Sequence, residues 1–223
     1  MISIIFHGSY IIATFFMNSK DFYPLLRACI NAQINAVNLD IGHKALDLEI
    51  FELSLGSRTR ELSLLIDAIR AQSAIATTGL TNSERIRDSH RNNKTLKTLS
   101  SDLSRDIHWL LEKLFCHSDN YSLSFYEAGF YIPGDYFRPH YDYRLKYPSE
   151  RIRTILVYLE NVEEGGELFF PLIDVQVKPS SGLIVSWSNV EENLGNRLLS
   201  LHESKEVVKG SKSVLTYFLN RSS

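Results

Sequence analysis

Apolar residues follow one spacing in the first half of the chain and another from about residue 120. From Lys20 to Val37, Phe22, Leu25, Leu26, Cys29 and Ile30 fall on one face and predict an amphipathic helix. Leu46 to Leu55 alternates for part of its length, predicting an early strand that Gly56 and Ser57 end. Thr59 to Ala76 returns to helical spacing through Leu62, Leu65, Ile66 and Ile69. A polar stretch without a period runs from Thr77 to about Thr98. Next, DLSRDIHWLLEKLF, Asp102 to Phe115, predicts the clearest helix, with Leu103, Ile107, Leu110, Leu111 and Leu114 in one stripe.

From Tyr121 the chain breaks into short strand-like runs divided by turn signals: SLSFYEA, YFRPHYDY, RTILVYLE, GELFFP, GLIVSWS, LLSLHE and SVLTYFL. Runs of this length and spacing predict a sandwich, barrel or double-sheet roll with helices packed against it. The fold class is therefore α+β with a mainly β core at 121–221, a mostly helical support region at 20–117 and an apolar extension at 1–20. Pro133, Pro139, Pro171 and Pro179 mark strand edges and turns, while Trp187 and Phe169 predict core.

Composition narrows this picture. With 223 residues, 44% of them hydrophobic, the chain suits a single domain over 1–223. A net charge of −2 gives no long-range reason to expect nucleic acid as a partner. The one basic run, Glu84 to Lys97, reads as solvated and partly flexible. Two cysteines, Cys29 and Cys116, form no disulfide framework, which favours a reducing compartment, the cytoplasm. The opening ISIIFHGSYIIATFFM is apolar but has no Lys or Arg before Lys20, is interrupted by His7, Gly8 and Ser9, and is short for a membrane span. It predicts no stable membrane insertion, with Met17 as a second possible start and secretion as the minority alternative.

The candidate chemistry begins at RPHYDY. In a strand, positions i and i+2 share a face, so His140 and Asp142 can converge while Tyr141 and Tyr143 point away. His202, in LLSLHES, is the best third ligand. Two histidines and a carboxylate suit ferrous iron with positions left open; zinc could use the same atoms in a hydrolytic site. Taken alone, the His-x-Asp pair reads as a satisfied histidine beside an aspartate. His7, His43, His90, His108 and His117 have no comparable setting. Lys212 follows His202 by ten residues, and a buried lysine there would suit the remote carboxylate of a dicarboxylate cosubstrate.

Together YIPGDYFRPHYD, RTILVYLE, EEGGELFFP, VKPSSGLIVSWSN and HESKEVVKGSK resemble the prolyl 4-hydroxylase-like branch of the iron and 2-oxoglutarate dependent dioxygenases. The resemblance covers Ser122 to Arg221 and implies a double-stranded β-helix, or jelly roll. It implies that His140, Asp142 and His202 hold Fe(II), that Lys212 meets the distal carboxylate of 2-oxoglutarate, and that Tyr131 donates a hydroxyl there with help from Tyr158. Arg151 matches a position near the substrate channel.

The sequence departs from that family's pattern at three positions. Phe137 stands where the pattern has a second Tyr, Leu168 where it has the Thr of GGET, and Phe218 where it has Trp. These leave the metal residues and Lys212 intact and bear on the substrate. The implied reaction is hydroxylation of an unactivated C–H bond with 2-oxoglutarate and O2, giving succinate and CO2, with ascorbate as an auxiliary reductant. The expected substrate is a prolyl residue in a peptide or protein. A free amino acid or small metabolite is the alternative within this chemistry, and a non-catalytic jelly-roll binding module the alternative outside it.

Overall fold

Side chains from Arg153 to Tyr158 are apolar on both faces of one strand, a pattern that requires cover on both sides of the sheet. The computed structural model describes residues 4–7, 10–13, 34–35, 46–53, 55, 58–75, 90–116, 118–147, 149–191 and 197–222, and supplies both covers. Its strands are β1 (Ile4–His7), β2 (Tyr10–Ala13), β3 (Ile34–Asn35), β4 (Glu49–Leu53), β5 (Ala74–Ile75), β6 (Lys94–Leu96), β7 (Tyr121–Tyr131) and β8 (Phe137–His140). They continue with β9 (Arg153–Tyr158), β10 (Glu164–Gly165), β11 (Leu168–Phe170), β12 (Val175–Val177), β13 (Leu183–Ser188), β14 (His202–Ser204), β15 (Val207–Lys209) and β16 (Lys212–Arg221). Helix α1 spans Thr59–Gln72 and α2 spans Asp102–Phe115.

The larger sheet has the order β3-β4-β13-β9-β16-β7-β6-β5, and the smaller β12-β11-β14-β8. From β7 onward the chain passes back and forth between these two antiparallel sheets, with a β11–β12 hairpin on the smaller one and the short β10–β15 pair beside them. This is the double-stranded β-helix. One face of the larger sheet, with Ile155, Val157, Ile184, Leu215 and Tyr217, packs on Leu65, Ile69, Ile107 and Leu111 of the helices. The other face meets the smaller sheet through Tyr131, Tyr158, Val185, Trp187 and Val214 against Leu168, Phe170, Val175 and Val177. The functional site grows out of that second, inter-sheet layer.

Local signals explain most of the element boundaries. Helix α2 begins where Ser101 and Ser104 cap each other reciprocally, each hydroxyl accepting the other's backbone N–H at 3.0 Å. Its buried stripe includes Phe115, while the predicted Leu114 is half-buried. Helix α1 stops at Gln72, short of the expected Ala76, because Ala74 and Ile75 pair with β6 as edge strand β5.

The predicted helix from Lys20 to Val37 lies outside the described residues except at Ile34 and Asn35, which pair with β4 as strand β3. In the apolar opening, β1 and β2 form an antiparallel pair. Strand β12 carried too few residues to stand out in the sequence. Phe169 is not core: it faces outward between inward-facing Leu168 and Phe170, with the Lys205 ammonium 4.2 Å above its ring. Within the basic run, residues 84–89 lie outside the described residues. Arg91, however, is buried rather than solvated, ion-paired to buried Glu127 at 2.7 Å.

Candidate metal centre

Strand β14 pairs with β8 so that His202 is the cross-strand neighbour of His140, which brings two distant segments together at the mouth of the inter-sheet layer. Strand β8 ends at His140, so Asp142 lies just past it. A side-chain bond rather than strand alternation aims the carboxylate: Thr154 Oγ1 on β9 donates to Asp142 Oδ2 at 2.7 Å. Asn189 Nδ2 in turn donates to Thr154 Oγ1 at 2.7 Å and to the Arg151 carbonyl at 3.0 Å. His140 Nε2 is 3.8 Å from Asp142 Oδ1, and His202 Nε2 is 3.6 Å from Asp142 Oδ2. One ligand atom from each of the three residues lies within 4.8 Å of the others.

Hydrogen bonds on the far side of each imidazole set its tautomer. His140 Nδ1–H donates to the Arg138 carbonyl and His202 Nδ1–H to the Ser200 carbonyl, both at 2.8 Å. The Nε2 lone pairs are thereby left for a metal. Burial and the facing His202 push the His140 imidazole down to about 3, against the pull of Asp142. Burial alone would raise the Asp142 carboxyl; His202, His140 and the Thr154 hydroxyl outweigh it and hold the group below its ordinary value. A neutral imidazole facing an ionised carboxylate is the protonation state in which these groups bind a divalent metal.

Aromatic rings fix the imidazoles from outside. Phe137 stacks on His140 with ring centroids 3.6 Å apart, and the Arg91 guanidinium lies 4.3 Å from the Phe137 centroid on this stack. Trp187 packs edge-on against His202 at 4.7 Å, and its buried Nε1 has no protein acceptor. This donor set, two imidazoles and one carboxylate, fits Fe(II) with coordination positions left for other ligands.

Deeper in the layer, Lys212 opens β16 opposite Tyr131 on β7. Its ammonium donates to the Gly166 carbonyl at 2.9 Å and to Ser204 Oγ, and sits 4.0 Å from the Tyr131 ring centroid. Burial pushes this lysine down to about 7, although Glu167 and Asp135 pull the other way. Burial likewise raises the Tyr131 hydroxyl to about 12 and drives Tyr158 higher still, with Tyr131 adding to the latter effect. Lys212 is therefore a buried group of lowered basicity bordered by neutral hydroxyls.

Residues 121–220 match the 2OG-Fe(II) oxygenase superfamily. Over this segment, a little under half of its length, the chain is similar to that superfamily. Over 113 residues the chain is 32% identical to probable prolyl 4-hydroxylase 7 of Arabidopsis thaliana, covering 40% of this chain and 36% of that protein. With prolyl 4-hydroxylase 1 of the same plant it shares 30% identity over 110 residues, covering 41% and 38%. The match thus spans well under half the length of these curated relatives. The fold is similar to that of the viral collagen prolyl hydroxylase of Paramecium bursaria Chlorella virus-1 in its 2OG complex. Their TM-score is 0.58 at 22% identity, over 73% of this chain and 90% of that one. It is also similar to a Trichoplax adhaerens prolyl hydroxylase in complex with a hypoxia inducible factor peptide, with TM-score 0.56 at 13% identity, over 92% and 94% of the two chains.

Around this centre the sequence-predicted residues fall into three groups. His140, Asp142 and His202 converge, Lys212 and Tyr131 touch, and Tyr158 shares their apolar layer. Arg151 precedes β9, with φ 53°. Its guanidinium sits 4.3 Å from the ring centroid of Phe218 and 4.4 Å from that of Tyr126. Phe218 is the cross-strand neighbour of Thr154, which places this aromatic pair one residue pair away from the aspartate's support. Sequence reasoning missed Thr154, Asn189, Ser204, Arg91 and Glu127. Thr154 alone carried a usable signal, since it shares a strand face with Tyr158 four residues on.

Proposed function

We propose that this chain is an Fe(II)/2-oxoglutarate-dependent dioxygenase that hydroxylates a prolyl residue of a peptide or protein at C4. The observation that carries the reading is the convergence of His140, Asp142 and His202 in the same layer as a buried lysine whose hydrogen-bond partners are a carbonyl and a hydroxyl. A zinc hydrolase has no use for that lysine. His140, Asp142 and His202 hold the metal on one side. Lys212 takes the distal carboxylate of 2-oxoglutarate, Tyr131 donates its hydroxyl beside it, and Tyr158, Phe170 and Trp187 exclude water. Bound there, iron would activate O2, the oxidant that turns 2-oxoglutarate into succinate and CO2 with one oxygen atom and inserts the other into the substrate C–H bond.

Substrate approaches at the open side of the triad, where Phe137, Arg151 and Phe218 are the candidate contacts. The prolyl assignment draws on the sequence relatives, which are prolyl 4-hydroxylases by name. No helix among the described residues is long and apolar enough to cross a membrane. Sparse cysteine content suits a reducing, cytoplasmic setting. The test is incubation of the purified chain with Fe(II), 2-oxoglutarate, ascorbate and proline-containing peptides. Succinate formation and a peptide mass gain of one oxygen are expected, both abolished by His140→Ala. Oxidation of free proline but of no peptide would move the substrate to a small molecule, and failure to bind 2-oxoglutarate would end the enzyme reading.

A further inference from the structure

The departures from the family pattern at Leu168 and Phe137 meet at one residue. Strand β14 lies between β11 and β8 in the smaller sheet, and Ser204 is the cross-strand partner of Leu168 on one side and of Phe137 on the other. Cross-strand partners share a face, and Leu168 is buried in the inter-sheet layer, so Ser204 points into the same layer. It reaches the cosubstrate pocket directly. Lys212 Nζ donates to Ser204 Oγ, and the same ammonium lies 4.0 Å from the Tyr131 ring centroid.

Counting donors shows what remains there. The Lys212 ammonium has three N–H groups, of which Gly166 O and Ser204 Oγ take two. Ser204 and Tyr131 have one O–H each, and Ser204 directs its own at the Lys205 carbonyl from 3.5 Å, beyond the ordinary O–H···O range. One ammonium N–H and these two O–H groups remain as donors for the two oxygens of a carboxylate. Leu168 and Phe137 can supply none.

We propose that Ser204 is a cosubstrate-binding residue: from the middle strand its hydroxyl takes the place of the one the family pattern carries at position 168, and with Lys212 and Tyr131 it holds the distal carboxylate of 2-oxoglutarate. The proposal rests on the dioxygenase reading and assigns a residue to it. The smaller sheet thus keeps a hydroxyl in the pocket although both flanking strands present apolar side chains.

The test is calorimetric titration of 2-oxoglutarate into Mn(II)-loaded protein for the wild type, Ser204→Ala and Ser204→Thr, alongside titration of Mn(II) itself. Loss of a hydrogen bond to a charged group predicts about tenfold weaker 2-oxoglutarate binding in Ser204→Ala, with Mn(II) affinity unchanged. Ser204→Thr, which keeps the hydroxyl, should bind close to wild type. Equal 2-oxoglutarate affinity in Ser204→Ala and wild type would overturn the assignment of Ser204 alone. So would a parallel loss of Mn(II) affinity, which marks a strand-packing role, or a loss in Ser204→Thr as large as in Ser204→Ala. Wild type that binds Mn(II) but no 2-oxoglutarate would overturn the dioxygenase reading with it.

Discussion

Thr154 and Lys212 show how much of the site's chemistry rests on residues that are not metal ligands. Thr154 holds the Asp142 carboxylate while accepting from Asn189, so its hydroxyl both orients a ligand and passes on the constraint of a buried amide. Thr154→Val should weaken Mn(II) or Fe(II) binding about 10- to 100-fold, measured by metal titration, while the fold persists. Lys212 is pushed down to about 7, so above that pH the empty pocket holds largely a neutral amine. A carboxylate bound against it favours the charged form, and binding then takes up a proton. Affinity for 2-oxoglutarate should accordingly be full below about 7 and decline as the pH rises above it. Lys212→Met should lower affinity throughout and remove that slope, as titrations on either side of neutrality would show. By the same linkage, burial of Lys212 makes the fold gain stability as pH climbs from about 7 toward the ordinary lysine range.

Single elements differ in how far local sequence governs them. Helix α2 has the predicted boundaries, Asp102 to Phe115, because a reciprocal serine cap and one apolar stripe agree. Strand β8 is shorter than its run suggested, since the chain leaves the sheet at His140 and Asp142 answers to Thr154 instead. The LLSLHE run divides into a short 3-10 turn, Leu198–Ser200, and strand β14, and the turn supplies the carbonyl that orients His202. Strand β4 joins the larger sheet where Gly182 turns into β13: Leu53 N–H donates to the Gly182 carbonyl at 2.7 Å, and Gly182 has φ +85°. A Cβ there would meet the Leu53 carbonyl oxygen at 2.0 Å. Gly182→Ala should cost at least about 2 kcal/mol in urea denaturation, from the positive φ and from displacement of β4.

Across the whole molecule, the larger sheet divides labour between its faces. One face carries the helices and most of the aliphatic core; the other carries the proposed cosubstrate pocket and borders the candidate metal residues. Ile107, buried on α2, belongs to the first layer. Ile107→Ala should cost about 3 kcal/mol of unfolding free energy by leaving a cavity there, with 2-oxoglutarate affinity unchanged in the folded protein. Chemical denaturation and calorimetric titration of the same variant separate the two effects.

What the sequence determined alone is whatever depends on neighbours along the chain: the helical spacing of α1 and α2, the strand runs after Tyr121, and the ligand types at His140, Asp142 and His202. Lys212 was singled out by its distance from His202, and its burial beside Tyr131 and Ser204 came from the tertiary structure. What only tertiary structure decided is which side chains face one another across strands. Burial of Arg91 against Glu127, the Asn189–Thr154–Asp142 chain and the seat of Ser204 between Leu168 and Phe137 join residues far apart in sequence. Spacing along one strand says which face a residue shares, but register with the neighbouring strand fixes its partner, and register is set by the packing of the two sheets.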